Sequence, residues 1–281
     1  MREFVGRYVK AIFDDDVPGL AAELAYRFMF ATFPFAIFVV ALSGFVSSWL
    51  GIRDPSIRII GALGNDLPSN LVGPVQHQLE AALSHTHPEL LSVGAVVTLY
   101  AAATGMSSLM KAMNRAYGVR ESRPLPLRIA LAAVLTVLGG VAIVISFGAI
   151  VGGTLITHRL VDHAGLREIW PWLTLLRWPL AFALLVLGVS LVLRRAPNVR
   201  TPWRWAALAA TAFALTWIAT TYVFGLYVAQ FASYDATYGA LAGVIVLMLW
   251  FYLTSFVLVC AAELAALLVR MNAPQPLATP E

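Results

Sequence analysis

Charge is scarce in this chain. Asp, Glu, Lys and Arg together make up 12% of its 281 residues, about half the roughly 25% of an ordinary soluble domain. A soluble multidomain protein is a poor fit to that composition. Cysteine is nearly missing too: Cys260 stands alone inside the last apolar run, so an intrachain disulfide and a metal site built from four cysteines are both ruled out. The five histidines, His77, His85, His87, His158 and His163, are scattered through connections between apolar runs. His85-Thr-His87 lacks the additional ligands that a metal centre needs. There is no H-E-x-x-H, no G-x-S-x-G and no Gly-rich phosphate loop. These gaps lead to the expectation of no catalytic residue, no metal, no cofactor and no enzyme. The basic segments are short and have no stacking platform, so nucleic acid is not an expected partner.

What the chain does have is long uncharged runs. It is 60% apolar, and its mean hydropathy is +0.79. Between Asp235 and Glu263 lie 27 residues without a charge. As an α-helix these would extend roughly 40 Å, at about 1.5 Å per residue, whereas a bilayer core needs only about 20 residues. Six such crossings are predicted, at about 20–50, 90–110, 129–156, 170–193, 205–231 and 236–264. The expected architecture is an all-α integral membrane protein, with residues 1–272 as one polytopic domain and 273–281 as a Pro-rich disordered tail. The first run is too long for a signal peptide and is preceded by acidic residues, so cleavage is not expected.

Local signals refine this layout. Phe4, Val5, Tyr8, Val9 and Ile12 recur at helical spacing, while Arg2, Arg7 and Lys10 lie largely off that stripe. This predicts an amphipathic helix that lies on the membrane surface or packs against the domain. Asp14, Asp15 and Asp16 end it; Asp16 can cap the next helix, and Pro18 suits an early helical position. Pro34 falls inside the first crossing and predicts a kink near Phe30–Pro34. A second amphipathic segment follows Asn70. The second crossing is rich in small and hydroxyl residues, which favours a place inside a bundle. Gly148-xxx-Gly152 and Gly239-xxx-Gly243 allow close helix approach, and fit dimerisation and internal packing equally well. Trp170 and Trp172 read as interface anchors.

Six crossings put both termini on one side of the membrane. Thirteen of the nineteen Lys and Arg residues fall on that side and four on the other; Arg27 and Arg177 lie within helices. The positive-inside rule then makes both termini cytoplasmic.

Ionisable groups at membrane depth are costly and are functional candidates for that reason. Glu23 and Arg27 lie near the cytoplasmic end of the first crossing, Glu263 near that of the sixth, and Arg177 toward the outer end of the fourth. Snorkelling to the interface is the plain alternative for each, and Glu23 and Arg27, four residues apart, can pair. The functional reading is a cytoplasmic-side polar cavity lined by Glu23, Arg27 and Glu263 that suits an ion, a proton or a lipid headgroup. Tyr26, Tyr222, Tyr227, Tyr234, Tyr238 and Tyr252 offer hydroxyls, although tyrosines at helix ends usually act as anchors.

Several short motifs together resemble a known family. They are Ala25-Tyr26 with Phe33-Pro34; Asn114-Arg115-Ala116-Tyr117 with Glu121 and Arg123; Pro197-Asn198-Val199-Arg200 before Trp203; and Tyr238-Gly239-Ala240, Trp250-Phe251-Tyr252 and Ala262-Glu263-Leu264. In combination the chain resembles, over nearly its whole length, the YihY/BrkB family of bacterial inner-membrane proteins. It departs from that pattern at Arg27, where the family usually has an uncharged residue. It departs again at Ala261 and Ala265, which replace a glycine and an asparagine. The resemblance implies an α-helical inner-membrane protein linked to envelope integrity or virulence, with transport of lipids or ions as its proposed roles. The family has also carried an old ribonuclease label, which no residue cluster here supports.

The candidate substrate path therefore comprises Glu23, Tyr26, Arg27, Pro34, Asn114, Arg123, Arg177, Arg200, Asp235, Tyr238, Trp250 and Glu263. The leading expectation is a transporter-like protein for an amphiphilic or lipid-type substrate, with membrane lipids as partners. An anion transporter or channel using Arg27 and Arg177 is the second. A non-transporting scaffold for an envelope complex is the third, and a homo-oligomer is compatible with each.

Overall fold

The computed structural model describes residues 2–49, 88–141, 170–231 and 235–272, and for 36–49, 88–92, 170–177, 230–231 and 235–241 it describes the backbone only. The segment after Asn70, the His85–His87 pair, Gly148 and Gly152, Tyr234 and the tail lie outside the described residues.

Among the described residues the regular structure is entirely helical. The helices are α1 (Arg2–Asp14), α2 (Val17–Trp49), α3 (Pro88–Ala116), α4 (Leu125–Val141), α5 (Trp170–Arg195), α6 (Trp203–Phe231) and α7 (Asp235–Asn272). Among the described residues four stretches are long and apolar enough to cross a membrane: Val93–Ala116, Trp178–Arg195, Trp203–Ala229 and Ala242–Asn272. They match the second, fourth, fifth and sixth predicted crossings. The first prediction coincides with the 33-residue α2, and the third is described as helix from Leu125 to Val141.

The chain divides into two compact units, Met1–Arg27 with Ala103–Glu281, and Phe28–Ala102. In the second unit Pro34 lies inside α2, which stays helical through it. A proline at that position supplies no N–H to the helix ladder. Thr32 donates to the Phe28 carbonyl at 2.9 Å just upstream.

In the first unit, α6 packs against both α5 and α7, and α1 packs against α7. Phe213, Val257 and Ala261 are buried together, with Leu185, Val189, Trp217 and Leu258 around them. Trp217 Nε1 donates to Thr254 Oγ1 at 3.1 Å, fastening α6 to α7. Burial is concentrated at one end of these helices, in Ala206, Ala209, Ala210 and Ala214 on α6 and Ala261, Ala262, Ala265 and Ala266 on α7. Alanines at these spacings let backbones come close where dispersion, not water exclusion, holds lipid-embedded helices together. Farther along, Leu215, Ile218, Val223, Ile245 and Met248 are exposed, as side chains facing lipid tails would be.

Two sequence expectations are refined here. For Gly243, read as a close-approach position, nothing among the described residues lies within 4 Å of where a Cβ would stand; the close packing described rests on the alanines. For α1, the surface-lying and the packed readings each describe one side of the helix. Phe4, Tyr8, Ala11 and Ile12 are half-buried, whereas Val5, Val9 and Phe13 are exposed.

Candidate functional site

The tightly packed end of the first unit is also where its polar groups gather, beginning with how the helices stop. Helix α3 ends at Ala116 in a Schellman turn: Gly118, at φ 64°, donates to the Arg115 carbonyl at 2.9 Å, and Val119 donates to the Asn114 carbonyl at 2.9 Å. A left-handed residue is needed there, and glycine supplies it without strain. Asn114 is itself buried. Its Nδ2 donates to Glu121 at 2.9 Å, and its Oδ1 accepts from the Asn198 amide at 2.7 Å. Asn198 Nδ2 in turn reaches the Arg120 carbonyl and Ser122 Oγ. Arg123 donates to the carbonyls of Ala196 at 3.1 Å and Pro197 at 2.6 Å, at the end of α5. A guanidinium there satisfies orphan carbonyls and complements the negative end of the helix dipole. The two basic connections are thus bolted to each other. Tyr117 lies buried beneath them and accepts from Thr201 at 3.0 Å; burial pushes its phenol up to about 12.

A second group surrounds Glu23. Its Oε1 accepts from Arg27 at 3.2 Å and from Ser108 Oγ at 3.1 Å, and its Oε2 accepts from Lys111 at 3.4 Å. The side chains of Glu23, Arg27 and Lys111 are 32%, 40% and 67% exposed. The predicted Glu23–Arg27 pair therefore forms and gains two partners from α3, leaving a half-wet cluster with one surplus positive charge. Tyr26 beside it is exposed.

A third group surrounds Glu263, which is only 1% exposed and whose Oε1 has no hydrogen-bond partner among the described residues. The Asp15 carboxyl lies within hydrogen-bonding reach of it. Arg115 Nε stands 3.8 Å from Asp15 Oδ1. Arg270, about two helical turns beyond Glu263, donates to the Ala116 carbonyl at 2.7 Å and so caps α3 from α7. Tyr8 of α1 donates to the Cys260 carbonyl at 2.9 Å; burial keeps that phenol well above its usual range and hence protonated. Burial also raises the Asp15 carboxyl above its ordinary value, against the opposing pull of Arg115 and Arg270. The adjacent corner is built by its neighbour in sequence. Asp16, at φ 52°, caps α2 by accepting from the Gly19 amide at 3.2 Å, and its carboxylate fills the space a side chain at position 19 would need.

The described bonds thus place Glu23 with Arg27, and Glu263 with Asp15, in two groups that share no partner. Asn114 and Arg123 are engaged with backbone and with each other's connections. Arg200 is exposed. Trp250 is half-buried, edge-on to Trp217 with centroids 6.3 Å apart. Arg194 lies over Trp203 at 5.5 Å and Arg204 over Trp205 at 4.7 Å, forming a basic aromatic rim. The side chains of Arg177, Asp235 and Tyr238 lie outside the described residues. Sequence reasoning passed over Asp15, Lys111, Ser108, Arg115 and Arg270. The available signal was the run of three aspartates, of which only one is needed as a cap.

Comparison with known proteins adds a family. A model described as Virulence factor BrkB matches residues 9–281. The ribonuclease-like protein YfkH of Bacillus subtilis is 30% identical over 250 residues, covering 88% of each chain. A UPF0761 membrane protein of Tolumonas auensis is 26% identical, covering 95% of this chain and 85% of the relative. Another, from Paraburkholderia xenovorans, is 26% identical over 93% of this chain, which spans 59% of that longer protein. No solved structure matches.

Proposed function

Because the chain belongs to the Virulence factor BrkB family of membrane proteins, we propose that it is a transporter-like protein of the bacterial inner membrane for an amphiphilic, lipid-type substrate. On this reading it has six crossings and both termini in the cytoplasm, and it supports envelope integrity. The observation that carries the reading is the half-exposed Glu23–Arg27–Lys111 cluster on the bundle surface, with its surplus positive charge. Such a cluster suits the phosphate of a lipid headgroup, while the exposed apolar helix surfaces suit its tails. Membrane lipids are then both solvent and partner. A second copy packing at Gly243, beside which no described side chain stands, fits the same reading. The reading includes no catalytic chemistry, cofactor or nucleic acid.

The anion reading keeps Arg27, which is paired with Glu23 yet 40% exposed beside Lys111; the side chain of Arg177 lies outside the described residues. The scaffold reading is favoured only if nothing moves. Purified protein in liposomes, assayed in parallel for lipid scrambling and chloride flux, separates the three. Scrambling without chloride flux supports the proposal, chloride flux alone favours the anion path, and neither favours the scaffold.

A further inference from the structure

Glu263 presents a problem that the transport reading does not solve. It is a carboxyl buried to 1% exposure, with one oxygen lacking any donor and a second carboxyl, Asp15, in contact. A bare carboxylate in that position would forfeit its hydration without compensation. The cations that could neutralise it are engaged elsewhere. Arg270 donates to the Ala116 carbonyl and Arg115 leans toward Asp15. The Tyr8 hydroxyl, which could have donated, is taken by the Cys260 carbonyl. Two carboxyls within hydrogen-bonding reach of each other need one proton between them, as in other like-charge pairs that cannot both ionise.

We propose that Asp15 and Glu263 form a binding site for a single exchangeable proton, and that the bound proton holds α1 against α7. The step is a simple one. A proton from solvent on the side of the basic connections adds to one carboxylate, forming an O–H bond, and that O–H donates to the other carboxylate. Loss of the proton returns it to solvent and leaves two negative charges facing each other across the α1–α7 contact. The groups that face the pair are Tyr8 and Asp14 from the α1 side, Arg115 and Tyr117 from the end of α3, and Cys260 and Arg270 from α7. The site has a mechanical output because Asp15 sits at the corner between α1 and α2, where Asp16 caps the next helix. When the contact opens, α1 keeps its exposed row Val5, Val9 and Phe13 for the membrane surface. This inference goes beyond the transport reading and does not depend on it.

The test uses the full chain in bilayers and two readouts. Infrared difference spectra over a pH titration should show a protonated-carboxyl C=O band that disappears as pH rises. That band should be lost in Glu263→Gln and, separately, in Asp15→Asn. A nitroxide at Phe13→Cys, in a Cys260→Ser background that keeps the backbone acceptor of Tyr8, should become more mobile as the band disappears. Glu263→Gln, a permanently neutral mimic, should hold the label immobile at every pH. The proposal is overturned if no such band titrates, if the band survives both substitutions, or if label mobility ignores pH. Because neither readout involves flux, loss of the transport reading would leave this result standing.

Discussion

Two glutamates at the same end of the bundle meet opposite treatment. Glu23 is a third exposed and receives donors from Arg27, Ser108 and Lys111. Glu263 is fully buried, faces another carboxyl and has an oxygen with no donor. The first is an ordinary solvated ion cluster, in which water and two cations share the charge. The second lacks that compensation and needs a proton. A carboxylate near a membrane helix end is therefore informative only together with its surroundings: a donor-rich, wet one marks a surface, and a donor-poor, dry one marks a switch.

Substitutions can break this contrast. The largest effect is expected from Arg270→Met, which orphans the Ala116 carbonyl and removes a positive charge beside the buried pair. A loss of about 2 kcal/mol follows from the usual cost of leaving a buried acceptor unsatisfied, read as a lowered melting temperature in detergent. Next comes pH. The Asp15 carboxyl is raised in the folded chain, so its contribution to α1 docking is complete below the ordinary carboxylate pKa and is lost as pH rises through the raised value. The docked fraction should fall by at most about tenfold per pH unit, the limit for one proton. Asp15→Asn should flatten that dependence in the same spin-label measurement. A smaller change, about 0.5 kcal/mol, is expected for Glu23→Gln, because exposed ion pairs contribute little; raising the salt concentration should erase it. The smallest is Glu263→Gln, a neutral isostere of the protonated carboxyl, which should leave the melting temperature at low pH within the error of the wild type. A large loss there would mean that Glu263 is ionised and would end the contrast.

Much of this was legible along the chain because it is local. The 33-residue α2, the long final helix, the Asp16 cap and the Glu23–Arg27 pair depend on neighbours a turn or a run apart. The arginine-rich connections were legible as topology signals, but their structural task was not. Arg270 caps a helix that ends 154 residues earlier, and Arg123 caps one that ends more than 70 residues later. Spacing along the sequence carries no trace of such pairings. Asp15 was hidden for a different reason: three successive aspartates after an amphipathic helix look like a stop signal, and only the fold gives each its own surroundings. The motif residues Asn114, Arg123 and Asn198 read as parts of a path, and the structure engages all three in fastening two connections.

All of these assignments presuppose that the arginine-rich connections face the cytoplasm, and that can be tested directly. Arg200 is exposed in one of those connections. A single cysteine placed there by Arg200→Cys, with Cys260→Ser, should react with a membrane-impermeant maleimide in inside-out vesicles and stay unlabelled in right-side-out spheroplasts. Labelling in spheroplasts alone would contradict the account and reverse every orientation in it.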